Sequence, residues 1–445
     1  MNNWQTKTMA YVGIFVLLAG DAVRYSISWA GYAAAVIIFA GLTVAWIVRN
    51  KPWATIRQTP WPLTALLALM MVGSLWSNYG WVSFGVSIVQ LLETAFAIML
   101  AAAFSWRQLM TILGNTIRFI LASSILFELY AAVIVRGPVP PIFKLYEGDK
   151  PPAPDYYWSR GNLFNGDRIQ GILGNSNILA YVSMIGLVIF FTELSTRSVS
   201  KTVGILSVLG ALGGIFDGWS MTVNIALVAV LIAAVVSIAA EGKDKVTRHR
   251  YYRVAWWSVG LSALVVLAFR AQIFTLIGKS PDMTGRTTIW KAVLGLIDQR
   301  PLQGWGWISY WIPFLEPYQG LVVMHHVPYL QAHNAFLDVW LQLGIIGLGL
   351  FVGLLGYTFV PLWRLAVRHT SPLYLWPILV FVGLVVQNLT ESRLLIEIGW
   401  VLLVVFAVKV HDPEDSLEKA EPEPKRVRLL GRGLRRSQPR QRKDR

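Results

Sequence analysis

The chain has 445 residues, 55% of them hydrophobic and only 14% charged, with 20 Trp. A soluble protein carries roughly 25% charged residues, so a soluble globular protein is excluded. The absence of cysteine excludes disulfides, thiolate catalysis and zinc–sulfur sites. Much of the net charge of +15 sits in the C-terminal run KRVRLLGRGLRRSQPRQRKDR. That run has no aromatic side chain to stack on bases, so nucleic acid is not an expected partner. It reads instead as a cytoplasmic tail with a surface for anionic membrane lipids.

Apolar runs long enough to cross a bilayer recur near 8–27, 29–48, 61–77, 81–104, 108–135, 171–193, 202–217, 219–240, 254–277, 334–360, 373–391 and 394–410. The pattern predicts an all-α, polytopic transmembrane protein of about twelve spans. The run from Met9 to Gly20 lacks a small-x-small cleavage site and a second span follows at once, so it reads as a retained helix. The connectors 49–57, 241–253 and 363–369 are basic. With an even number of spans they fall on one side, together with Lys7 and the tail. The positive-inside rule makes that side, and both termini, cytoplasmic.

The expected organisation follows. Residues 1–135 are N-terminal transmembrane helices, and 136–170 form an extracytoplasmic Pro-rich loop. Residues 171–277 are central transmembrane helices, 278–333 a large extracytoplasmic loop, 334–410 C-terminal transmembrane helices, and 411–445 the basic tail. Glu93 and Glu128 lie within apolar runs, where ionisable groups are costly; hydrogen bonding within the fold is the simpler role for each. Small residues at fourfold spacing (Gly210, Gly214 and Gly218, then Gly349 and Gly353) predict close helix packing.

Inside the second loop, Thr284–Arg300 reads as an amphipathic helix on the outer membrane boundary. Trp290, Val293, Leu294 and Ile297 recur at helical spacing, and Pro301 closes it. Arg286, one turn before Trp290, has a rigid, always charged fork that matches phosphate oxygens. His333 stands where the next long apolar helix leaves water, and Asn334 is a good N-cap for that helix. The positive end of a helix disfavours a cation, which suits a proton-accepting imidazole. Asn388, Glu391, Ser392 and Arg393 cluster at a neighbouring outer helix end and could border the same site. His325 and His326 with His333 would suit a metal only with a carboxylate beside them, and none is evident nearby. No P-loop and no DxD-like pair is present, which argues against a nucleotide-sugar donor.

The pattern H-N-x9-G-x-x-G over His333, Asn334, Gly344 and Gly347 resembles the signature of the O-antigen ligase and O-antigen polymerase family of membrane glycosyltransferases. Pro301, Gly304 and Gly306 resemble that family's P-x-x-G-x-G stretch. The run Arg168 to Asn177 resembles its R-x-x-G-x-x-x-N-x-N. The resemblance covers roughly 160–410 and implies a GT-C-like membrane fold. It also implies an inverting transferase that needs no metal and no cofactor. The enzyme would move a glycan from undecaprenyl diphosphate to an acceptor hydroxyl on a glycolipid, glycan or protein, at the outer face of the bacterial cytoplasmic membrane.

By the same resemblance, His333 receives or orients the acceptor hydroxyl and Arg286 holds the donor diphosphate. Arg168 is a candidate second diphosphate contact. Asn177, Asn334 and Arg393 complete the substrate-binding set for diphosphate or glycan. One position departs from the family: Met221 stands where ligases carry an arginine for phosphate. Arg168, Arg270, Lys279 and Arg393 are the candidates to replace it; otherwise the chain works differently or has lost activity. Ligase and repeat-unit polymerase both stay open, as does a polysaccharide transporter or flippase, which would show internal repeats and broken helices meeting at the midplane.

Overall fold

The computed structural model describes residues 3–143, 156–240, 243–244, 246–254, 257, 285–324 and 327–411. The expected span 254–277 and the basic tail therefore fall almost wholly outside the described residues, as do Arg270, Lys279, His325 and His326. The helices are α1 (Asn3–Leu18), α2 (Gly20–Asn50), α3 (Trp53–Arg57), α4 (Trp61–Gly73), α5 (Gly80–Ala103), α6 (Trp106–Leu129), α7 (Ser176–Ser195), α8 (Lys201–Gly218), α9 (Met221–Ala240), α10 (Arg286–Ile297), α11 (Ala335–Arg368), α12 (Trp376–Gln387) and α13 (Glu397–Lys409). Seven helices among the described residues are long and apolar enough to cross a membrane, and α4 and the stretch Pro372–Gln387 are shorter apolar helices. The protein is thus a mostly helical, polytopic membrane protein.

Local chemistry explains where the helices begin. Ser105 and Gln108 form a reciprocal capping box on α6, and Ser200 caps α8 through the Val203 N–H. The boundary expected near residue 28 is met by a break at Ser28, with φ 71°, where two helical stretches join within α2; a further break at Ala19, not expected from the sequence, separates α1 from α2. The long helix expected from Asn334 is likewise broken, at Gly344, with φ 68°.

Burial divides the helices. Along α7, 83% of the membrane-length window is buried, and Ile398 through Lys409 of α13 are all buried. By contrast only 11% of the corresponding window of α2 is enclosed by protein. Close packing occurs at Gly214 and Gly218 of α8, where an added Cβ would lie 2.2 Å from Ser183 Oγ and 2.8 Å from Ala180 Cβ. Gly210, Gly349 and Gly353 face open space, so the expected packing at those three is not found. Glu128 is a staple: it accepts from the backbone N–H groups of Gln170 (3.1 Å) and Gly171 (2.7 Å) and from Ser159 Oγ (2.8 Å). Glu93 accepts from the Glu397 backbone N–H at 3.3 Å, leaving its other oxygen unpartnered.

The break in α11 is where the loop before it enters the bundle. Trp305 N–H donates to Leu341 O (3.0 Å), Gly306 N–H to Gln342 O (2.8 Å), and Ile345 N–H to Pro301 O (2.9 Å). This backbone-to-backbone contact leaves no space for side chains. A Cβ on Gly304 would lie 2.5 Å from Gln342 C, and one on Gly344 2.0 Å from Leu302 O. Gly304 and Gly344, one from each sequence motif, are therefore the two sides of one crossing.

Above the crossing the loop has its own core, built from Ile289, Val293 and Ile297 of α10 with Trp305, Trp311 and Tyr318. Leu294, expected on the buried face, is 41% exposed, and Leu296 takes its place inside. A two-residue hairpin of β1 (Val323–Met324) and β2 (Val327–Pro328), paired Val323 to Pro328 and Met324 to Val327, closes the loop.

Candidate functional site

The first turns of α11 build the site's floor. Asn334, Asp338 and Gln342 are four residues apart and so share one helix face. Asn334 caps the helix by accepting from Phe336 N–H (3.0 Å) and Leu337 N–H (3.1 Å), and its amide donates to Leu389 O at 3.0 Å. The fully enclosed Asp338 carboxylate accepts from Trp311 Nε1 (3.0 Å), Ala332 N–H (3.0 Å) and Ser392 Oγ. Gln342 accepts from Ile308 N–H (2.8 Å) and Ser309 N–H (3.0 Å) and donates to Ser309 O at 3.1 Å. Asp338 and Gln342 thus fasten the loop to the helix and Asn334 fastens the 388–391 turn, leaving no buried acceptor among the three unmet.

His333 sits on that floor in the left-handed region, with φ 48°. Trp290 Nε1 donates to Ala332 O at 3.0 Å, tying α10 to the residue before it. Tyr329 meets the imidazole edge to face at 5.7 Å. Its Nδ1 lies 2.9 Å from Glu391 Oε2. Arg286, the first residue of α10, donates from Nη2 to Glu391 Oε1 (2.8 Å) and from Nε to Thr390 O (3.1 Å). One carboxylate therefore holds both the histidine and the arginine that the sequence singles out. The backbone N–H of Ala335 donates to both Asn388 O and Glu391 O at 3.0 Å, which anchors the 388–391 turn to α11.

Burial pushes the Glu391 carboxyl upward, but His333, Arg286 and Arg393 around it outweigh burial and hold it below the usual carboxylate range. An ionised carboxylate only accepts, so Nδ1 of His333 carries the hydrogen of this bond, and in the neutral imidazole Nε2 is the nitrogen left as acceptor. Nε2 has no protein partner among the described residues. Side-chain exposures of 17% for Arg286 and 22% for His333, against 7% for Glu391, put the carboxylate behind the two groups it holds. Glu391 was grouped with its neighbours in the sequence reading but not given a role. Asp338 escaped it altogether, although a lone acid one turn past a capping asparagine in an apolar helix is a readable signal.

The other expected site residues stand elsewhere. Arg168 donates from Nε to Gly218 O (2.9 Å) and from Nη2 to Asn177 Oδ1 (2.6 Å). Burial and the neighbouring Arg160 press its guanidinium below its ordinary value. It makes no hydrogen bond or ion pair with Arg286, His333 or Glu391. Asn177 does not cap α7; Asn175 does, accepting from Asn177 N–H (2.9 Å) and Ile178 N–H (3.4 Å). Arg168 and Asn177 border a polar cavity of about 200 Å³ with Arg160, Gln170 and Tyr157. The link to His333 is indirect: Arg168 grips the turn before α9, and Thr222 at the start of α9 accepts from Thr390 Oγ1 at 3.1 Å. Met221 stands between these two points, at the first position of α9. Arg393 pairs with Glu397 at 3.4 Å and lies within electrostatic reach of Tyr310 and Glu391.

No curated protein matches the chain. Residues 172–352, running from just before α7 through the loop to the middle of α11, match the family model described as O-antigen ligase, which supports assignment of the chain to the O-antigen ligase and polymerase family.

Proposed function

We propose that the protein is a metal-independent, inverting glycosyltransferase that moves a glycan from undecaprenyl diphosphate to an acceptor hydroxyl at the outer face of the bacterial cytoplasmic membrane. On this reading about twelve spans adopt a GT-C-like arrangement, with both termini cytoplasmic. The observation that carries it is the Glu391 carboxylate bridging His333 and Arg286.

The acceptor hydroxyl donates to His333 Nε2. As its oxygen bonds to the anomeric carbon, the proton passes to Nε2 and the bond from that carbon to the diphosphate oxygen breaks. Glu391 keeps Nδ1–H oriented and offsets the imidazolium that forms, as a carboxylate does for a catalytic histidine in acyl transfer. The diphosphate leaves with the electron pair, and Arg286 stabilises the charge growing on it. Arg168 and Asn177 act as positioning residues, holding the turn before α9 rather than making the direct diphosphate contact expected from the sequence. Asn334 and Arg393 likewise act through the fold, by capping α11 and by flanking Glu391.

A transporter would share one feature, broken membrane helices. The break at Gly344, however, is filled by the 301–306 backbone instead of lining a cavity. The test is the pure protein in lipid discs with an undecaprenyl-diphosphate glycan alone. No product until an acceptor is added supports the ligase form; a product ladder without added acceptor identifies a polymerase of the same family. No transfer under either condition contradicts the proposal.

A further inference from the structure

The end of α11 remote from His333 carries a feature that the transfer reaction does not use. From Gly344 to Arg364 this helix rises about 30 Å at about 1.5 Å per residue, the thickness of a bilayer's hydrocarbon core. There the helical segment 246–254 folds against it. Asp244 begins the segment, its carboxylate accepting from Val246 N–H (2.9 Å) and Thr247 N–H (3.2 Å). Tyr252 meets Trp363 edge to face at 5.5 Å, and Trp363 stacks on Phe359 at 5.7 Å. Over this aromatic floor Arg248, Arg364 and Arg368 surround a cavity of about 440 Å³.

The three arginines have no side-chain hydrogen bond or ion pair among the described residues. Arg364 and Arg368 are exposed and Arg248 is half-buried. The nearest acid in sequence, Asp244, is engaged by backbone N–H groups. Tyr251 and Val254, three residues apart on the same segment, are 37% and 64% exposed. An outward apolar face beside a ring of cations is the pattern of a helix lying at a lipid surface.

We propose that this cavity binds the phosphate headgroup of an anionic phospholipid. Guanidinium forks match phosphate oxygens, and cations at a membrane surface attract anionic lipid. The aromatic floor receives the glycerol and upper acyl carbons, which a free phosphate could not supply.

The test is native mass spectrometry of the full chain in neutral detergent, with phosphatidylglycerol, phosphatidylcholine or sn-glycerol 3-phosphate added. The wild type should retain phosphatidylglycerol over phosphatidylcholine by about tenfold or more. The double variant Arg364→Gln/Arg368→Gln should lose that preference. Arg49→Gln, in another basic connector, should keep it. Thermal unfolding in phosphatidylcholine micelles checks that the double variant folds; should it not, Arg248→Gln gives the same reading. Unchanged preference in the cavity variants would overturn the site, as would equal loss in Arg49→Gln. Binding of glycerol phosphate comparable to the lipid's would overturn the choice of lipid as ligand.

Discussion

Two arginines, both legible as phosphate ligands in the sequence, end in opposite circumstances. Arg286 meets a carboxylate that also holds an imidazole, and all three groups converge where a helix begins. Arg168 spends its Nε and Nη2 on a backbone carbonyl and an asparagine, with another arginine for a neighbour. A motif position therefore names a charge, while the partner decides its use. A guanidinium balanced by a carboxylate that anionic substrate can compete with is available for chemistry. One that closes a turn is part of the fold.

The sharpest way to break this contrast is at the histidine. His333→Ala should lower turnover by roughly 10²–10⁴-fold, the usual worth of a positioned acid–base group, and a transfer assay with matched expression checks it. Arg168→Gln should instead show its main effect in thermal unfolding, at about 1–3 kcal/mol for the broken buried bonds, with turnover falling less than in His333→Ala.

Glu391→Gln probes the shared carboxylate and should reduce turnover by about tenfold or more, since an amide neither balances Arg286 nor orders the imidazole as well. It also carries a pH signature. Because the folded Glu391 carboxyl lies below its ordinary value, its contribution to stability is complete above the unfolded value of about 4.3 and is lost as pH falls through the folded one. Melting temperature measured on acidification should thus decline more steeply below about pH 4.3 in wild type than in Glu391→Gln.

Smaller still, Asn334→Ala should cost about 1 kcal/mol of stability through the lost cap, readable by denaturation in detergent. At the bottom of the scale, EDTA should leave transfer unchanged and added Mg²⁺ should not raise it. Loss on chelation restored by one divalent ion would bring His333 back as a ligand, together with His325 and His326.

The helical class and the element order were readable because apolar runs of bilayer length carry a strong signal. The glycines at 304, 306, 344 and 347 were readable as a motif, but their cause was not. Gly304 and Gly344 face each other across a backbone crossing between segments forty residues apart, and periodicity carries no information about such a contact. The break at Ala19 was hidden, since it falls inside the run read as one span over 8–27. Arg286 and His333 stood out by residue type and position. Glu391 did not, because its role exists only once the turn after α12 is folded against the start of α11.

The central claim is that Arg286 serves the donor and His333 the acceptor, joined through Glu391. Donor affinity and turnover measured side by side in folded Arg286→Ala, Arg286→Lys and His333→Ala test it most directly. Both Arg286 variants should bind the lipid diphosphate more weakly, the lysine almost as poorly as the alanine because a point charge does not reproduce the fork. His333→Ala should bind donor as wild type does and fail to turn over. Wild-type donor affinity in Arg286→Ala, or normal turnover in His333→Ala, would contradict the account.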